Sequence, residues 1–192
     1  LSISLVLLII CSFTAATANV IINDTTERIM LGKQVGVLQT DKELSFNDVL
    51  HSDNFTQNTS DVPNLGISSN SKWLKFTITN NSKEPYLLLN IAYPILDEVE
   101  LFVPDSLNNY KGQLLGEIKT FDARTFKYPD YIYRLDIPQN ESRTYFLRIK
   151  SVEQLILPIS VNHPGALWQF IGKENLLSGI FIGAILIMFF YN

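Results

Sequence analysis

The sequence predicts an all-β domain, a jelly-roll-like antiparallel β-sandwich, that runs into the start of a transmembrane helix. Three observations support this. Residues 73–79 alternate strictly, with Leu74, Phe76 and Ile78 on one side and Trp73, Lys75, Thr77 and Thr79 on the other; that is the period of a strand buried on one face. Further short runs repeat the pattern at close spacing, separated by turn residues and with scarcely a helical stretch, the layout of a sandwich or jelly roll. Residues 176–191 are uncharged and overwhelmingly apolar. At 1.5 Å per residue they reach only about 24 Å of a ~30 Å hydrocarbon core, so the first membrane helix is expected to continue past Asn192.

Taken in order, residues 3–11 form an apolar run and residues 12–18 are mostly small, ending in Ala16-Thr17-Ala18. This is the pattern of a signal peptide over 1–18, cut after Ala18. No Met or basic segment precedes it, so the N-terminus is expected to be incomplete. An uncleaved anchor would need ~20 apolar residues, and Ile10 before Cys11 is not the small residue of a lipoprotein site. Cys11 is the single cysteine, so the exported domain is expected to hold together through its hydrophobic core without disulfides. Asn-x-Ser/Thr sequons at Asn23, Asn54, Asn58, Asn80 and Asn140 would be glycan sites only in a eukaryote, and the missing disulfides favour a bacterium. The net charge of −4 without basic clusters argues against a nucleic-acid partner.

Short apolar runs at 20–22, 29–31 and 35–38 read as edge strands between Gly32 and Gly36. Residues 45–50 read as a short helix, with Ser45 and Asp48 forming a capping-box-like pair. Residues 53–71, rich in Asn, Ser and Thr and broken by Pro63, read as a long loop. Residues 86–92 are nearly continuously apolar. In 97–103, Val99, Leu101 and Val103 face inward, against Glu98, Glu100 and Phe102. Residues 114–118 form a short strand. In 131–137, Tyr131, Tyr133, Leu135 and Ile137 oppose Ile132, Arg134 and Asp136. In 144–150, Tyr145, Leu147 and Ile149 oppose Thr144, Phe146, Arg148 and Lys150, and 155–161 closes the series. Pro164 marks a boundary. The expected divisions are a leader at 1–18, an exported sandwich at 19–163, a juxtamembrane segment at 164–175 and a membrane helix from 176 to 192. Within the juxtamembrane segment, 166–173 is amphipathic, with Trp168 and Phe170 suited to a membrane surface. Gly179 and Gly183, four apart, would let two such helices pack closely.

No enzyme signature accompanies this layout. His51 and His163 are far apart and read as surface loop residues. There is no zinc-protease spacing, no triad pattern and no phosphate-binding glycine loop, nor a pair of glycosidase carboxylates. No catalytic residue, metal or cofactor is expected. Asp97, Glu98 and Glu100 offer oxygens suited to calcium, but alternation sends Asp97 and Glu98 to opposite faces. The sharper feature is the outward face, where Trp73, Lys75, Glu100, Arg134 and Arg148 would lie among Thr77, Glu98 and Asp136. Sugars stack their C–H faces on aromatic rings while charged groups hold their hydroxyls. With Arg124, in the loop 120–125, these are the candidate ligand-binding residues. The other reading is a solvated sheet face with ion pairs worth a few tenths of a kcal/mol each, Trp73 packing under the 53–71 loop. If Trp73 is a ligand platform, Trp73→Ala should remove binding yet change stability by no more than about 1 kcal/mol.

The order of segments has a parallel. Leu65-Gly66-Ile67-Ser68 leads to Lys72-Trp73-Leu74-Lys75-Phe76-Thr77-Ile78-Thr79-Asn80. Then come Tyr93-Pro94-Ile95-Leu96-Asp97-Glu98-Val99-Glu100-Leu101-Phe102, Tyr145-Phe146-Leu147-Arg148-Ile149-Lys150-Ser151, Leu157-Pro158-Ile159-Ser160-Val161, and Gly179-Ile180-Phe181-Ile182-Gly183 running to Asn192. From about residue 29 onward the chain resembles the periplasmic sensor region, extracellular type 2, of bacterial seven-transmembrane receptors with diverse intracellular signalling modules. The resemblance implies a jelly roll similar to carbohydrate-binding modules, placed on the periplasmic side of the inner membrane. It implies an input role toward a seven-helix bundle, whose output modules in that family include histidine kinases, diguanylate cyclases and phosphatases. The expected partners are a small-molecule or glycan ligand, the membrane, and a second copy through the sensor domain or the Gly179/Gly183 helix face. The rival reading is a membrane-anchored adhesion or structural sandwich without signalling.

Overall fold

The computed structural model describes residues 19–38, 40 and 42–191. The expected signal peptide, with Cys11 and the cleavage point at Ala18, lies outside the described residues. Among the described residues eleven strands and two α-helices follow in chain order, besides two single 3-10 turns: β1 Asn19–Ile22, β2 Arg28–Met30, β3 Gly36–Leu38, α1 Phe46–Leu50, β4 Phe55–Gln57, β5 Asn64–Asn80, β6 Leu87–Ile91, β7 Glu98–Pro104, β8 Tyr110–Leu115, β9 Tyr131–Leu135, β10 Glu141–Ile156, β11 Ile159–Asn162 and α2 Pro164–Tyr191.

They form the sandwich expected from the alternation. A seven-stranded sheet runs β4-β3-β5-β10-β7-β8, with β1 added in parallel beside β5, and faces a four-stranded sheet β2-β11-β6-β9. The register sets Tyr145 opposite Phe76 and Leu147 opposite Leu74, so the inward sets of β5 and β10 coincide and the Phe76 and Tyr145 rings stack at 5.7 Å. With Ile78, Val99, Leu101 and Ile149 they pack on Leu87, Leu89, Ile91, Tyr131, Tyr133, Leu135, Ile159 and Val161 of the smaller sheet. Two of the core tyrosines satisfy their hydroxyls on backbone carbonyls, Tyr133 donating to Val99 at 2.8 Å and Tyr131 to Leu96 at 3.1 Å, whereas the buried Tyr145 hydroxyl has no partner. Asn80 ends β5. Its amide donates to the Glu84 and Ile137 carbonyls, while its side-chain oxygen accepts from Ser82.

Four local expectations change. The 53–71 stretch is not one loop, since it holds β4 and the first half of β5. That half pairs with the far end of β10 through bulged register, Ser151 opposite Ser68 and Leu155 opposite Gly66, and a bulge erases the period-two pattern by which strands are read. Residues 155–161 are not one strand either, because the chain turns at Leu157-Pro158 and leaves the larger sheet for the smaller one. β8 begins at Tyr110, before the expected 114. Finally, the expected surface segment and the expected span form one uninterrupted helix, α2, which opens on Pro164, where the missing N–H costs no helical bond.

Candidate functional site

The outward side chains of β5, β7 and β10 are more aromatic than a solvated sheet face allows. Trp73, Phe102 and Phe146 lie side by side, and α1 closes over them. Phe46 stacks on Phe102 with centroids 4.1 Å apart, meets Phe146 edge-on at 5.6 Å and leans on Trp73 at 6.2 Å. Leu38, Val49 and Phe55 complete this second apolar cluster. Trp73 is only 1% exposed, so of the two readings of this ring the packed one describes it; Phe46 of α1 lies against it, and Phe55 of the 53–71 stretch belongs to the same cluster. The indole Nε1 has no hydrogen-bond partner in its buried position.

The chain entering α1 is tied down by two sets of hydrogen bonds. At its start is the expected capping box: Ser45 Oγ accepts from Asp48 N at 3.3 Å and Asp48 Oδ2 accepts from Ser45 N at 3.1 Å. Just before it, the Glu43 carboxylate accepts from the Ser71 hydroxyl at 2.6 Å and the Ser71 amide at 2.9 Å. Those two hydrogen bonds hold Glu43 below the ordinary carboxylate value, assisted by the positive charges of Lys150 and Arg148.

Charged groups border this cluster. Arg148 lies directly across from Glu100; its Nε donates to Glu100 at 3.0 Å and its Nη2 to Glu98 at 2.9 Å. The Lys75 ammonium sits 5.4 Å from the Phe55 ring centre and 5.6 Å from that of Phe146. Trp73, Lys75, Glu100 and Arg148 therefore share one face. Arg124 and Arg134 do not belong to it. Arg134, on β9 of the other sheet, lies 4.0 Å over the Tyr86 ring and donates to Asp136 at 2.7 Å. Arg124 lies 4.4 Å over the Tyr131 ring and donates to the carbonyls of Tyr128, at 2.8 Å, and Pro129. Asp97 turns away from Glu98 and Glu100 and accepts from the Val152 amide. Among the described residues no group of three or more His, Cys, Asp or Glu side chains is placed to hold a metal ion.

The third region is the amphipathic segment 166–173, which packs its buried positions on the sandwich. Leu167 and Ile171, one helical turn apart, are buried on Leu88 of β6 and Ile132 of β9, with Tyr86, Phe126 and Tyr128 around them. Trp168 meets Phe126 at 5.5 Å, and the Arg28 guanidinium lies 4.5 Å over Phe170. The i, i+4 pair was a legible signal, but without the tertiary structure its partner could equally be lipid. Beside this seat Asp130 accepts from Asn90 Nδ2 at 3.2 Å; burial, with Glu174 adding, holds its carboxyl above the usual value. Past Ile171 the helix leaves the sandwich. It is long and apolar enough to cross a membrane, and none of its apolar window is buried against the domain, unlike the core helix of a soluble fold.

The architecture is thus a β-sandwich seated on the first turns of an exposed apolar helix that is a candidate membrane span. The model of the family 7TMR-DISM extracellular 2 matches residues 32–163. The chain belongs to that family: it is an extracellular sensor domain of the seven-transmembrane receptors with diverse intracellular signalling modules, non-catalytic by itself, followed by a candidate transmembrane helix. No curated protein matches the chain.

Proposed function

We propose that the chain is the input end of a bacterial inner-membrane receptor, which binds a carbohydrate or similar small ligand in the periplasm and passes the signal to a membrane helix bundle. In this reading residues 1–18 are a signal peptide removed after Ala18, 19–163 sense the ligand, 164–175 are the juxtamembrane part of α2 and 176–192 belong to the first span. The observation that supports it best is the seat of α2. Leu167 and Ile171 are buried on the same β6 and β9 that build the sandwich core, so the helix cannot tilt without repacking the sensor. A flexible linker, sufficient for adhesion, would not couple them. The candidate ligand residues fall into two alternative groups on opposite faces, of which a small ligand would use one: Lys75, Glu100 and Arg148 beside the covered Trp73, and Arg134 with the Arg124 loop next to it. Two copies pairing through the sandwich or through Gly179 and Gly183 would give the bundle its symmetry.

The test is topological and functional together. Asn108, at the exposed β7–β8 turn, is changed to Cys in the full-length receptor and treated with a membrane-impermeant maleimide. Labelling in spheroplasts, with altered basal output from Leu167→Asp, is the expected result. Labelling only after the inner membrane is opened would reject the periplasmic placement. Normal output from a correctly inserted Leu167→Asp receptor would favour the adhesion reading.

A further inference from the structure

The larger sheet projects past the smaller one at β8, and the register shows the consequence. Val99, Leu101 and Val103 face into the sandwich, and their partners on β8 are Leu115, Gln113 and Lys111. Leu115 is buried, but Gln113 and Lys111 occupy inward-facing positions and are exposed. A sandwich interior takes aliphatic side chains there, so the polar pair marks a place where the second layer is missing. The free edge of β9 and the loop 116–130 enclose the gap, leaving a cleft of about 470 Å³ lined also by Thr125, Tyr133, Arg134 and Asp136. That size suits a small-molecule site.

The charges select a ligand class. Arg134 and Asp136 are paired with each other, and Arg134 is further occupied by the Tyr86 ring. The Lys111 side chain makes no hydrogen bond, ion pair or ring contact among the described residues, so it is the one uncompensated charge in the cleft. An amide, a hydroxyl and two unpaired strand edges surround it and suit hydroxyl groups. The cleft also shares its wall with the seat of α2. Ile132 lines the cleft and packs under Leu167 and Ile171. Thr125 lines it while its neighbour Phe126 meets Trp168. Arg124 pins that loop to the carbonyls of Tyr128 and Pro129, as a positioning residue.

We propose that the β8/β9 cleft is the ligand site, that it takes a small polyhydroxylated molecule bearing one carboxylate, such as an acidic monosaccharide, and that the loop 121–130 relays occupancy to α2. The proposal rests on the sensor reading above for the direction of signalling, though not for binding itself. To test it, the full chain in nanodiscs is titrated with D-glucuronate and D-galacturonate, with D-glucose as the neutral reference, by calorimetry and tryptophan emission. A uronate is expected to bind at least ~10-fold more tightly than glucose, and Lys111→Met, an exposed change that leaves thermal unfolding intact, to erase the preference. Trp168 emission should shift on binding, and Trp168→Phe should remove that shift. Absence of uronate binding at ~10 mM, or binding unaltered by Lys111→Met, would overturn the cleft assignment. Binding with a silent Trp168 would overturn the relay. None of these outcomes moves the Asn108 labelling, so failure of the cleft is distinguishable from failure of the sensor reading.

Discussion

Replacing Trp73 by Ala separates a ring held for packing from a ring held for ligand. Its indole is enclosed by Phe46, Phe102 and the other members of the second apolar cluster. Truncating a buried Trp costs about 3–5 kcal/mol from lost burial and the cavity left behind. One term runs the other way: the Nε1 proton is buried without an acceptor, and removing an unsatisfied donor recovers about 1–3 kcal/mol. Setting the central values, about 4 and about 2 kcal/mol, against each other gives a net loss of about 2 kcal/mol for Trp73→Ala. Trp73→Phe keeps most of the apolar area and deletes the orphan donor, so it should stay within about 1 kcal/mol of wild type. Urea unfolding followed by far-ultraviolet circular dichroism measures both, because the substitution removes a fluorescence reporter. An unchanged slope with a lowered midpoint identifies a change in stability alone. A Trp73→Ala variant as stable as wild type would refute the packing argument and restore the ring as a ligand platform.

Two further outcomes follow from the seat of α2. Leu167→Ala should cost about 2–5 kcal/mol if the docked turns unfold with the sandwich; amide exchange over residues 165–173 should then accelerate while the β5–β10 amides stay protected, and unchanged exchange would mean the contact is not holding the helix. Asp130 supplies the pH dependence. Its carboxyl is held above the ordinary 3.8 chiefly by burial, Glu174 adding while Asn90, Arg28 and Arg124 oppose. The folded state thus binds more protons than the unfolded one between 3.8 and the raised value, and this group's contribution to stability falls as pH rises through that window. Asp130→Asn should therefore gain on wild type in thermal midpoint from about pH 4 to pH 7, and a constant difference between the two would discard the burial argument.

What the sequence determined by itself is what a local period can encode. The inward sets of β7, β9 and β10, the later half of β5, the Ser45–Asp48 cap and the exposed apolar length of α2 all depend on neighbours within a few residues. The bulged start of β5 and the polar β8 broke the period and were misread for that reason. The partners of outward positions are another matter. Trp73 alternates outward as expected, but its cover comes from α1, far upstream in the chain. Lys75, Glu100 and Arg148 converge because β10 is inserted between β5 and β7, whereas Arg134 falls on the opposite face because β9 joins the other sheet. Alternation states only that a side chain leaves one face of a strand. Which strand lies beside it, and what packs on top, is decided by burying aromatic surface across long sequence separations, so the candidate site became visible only in the tertiary structure.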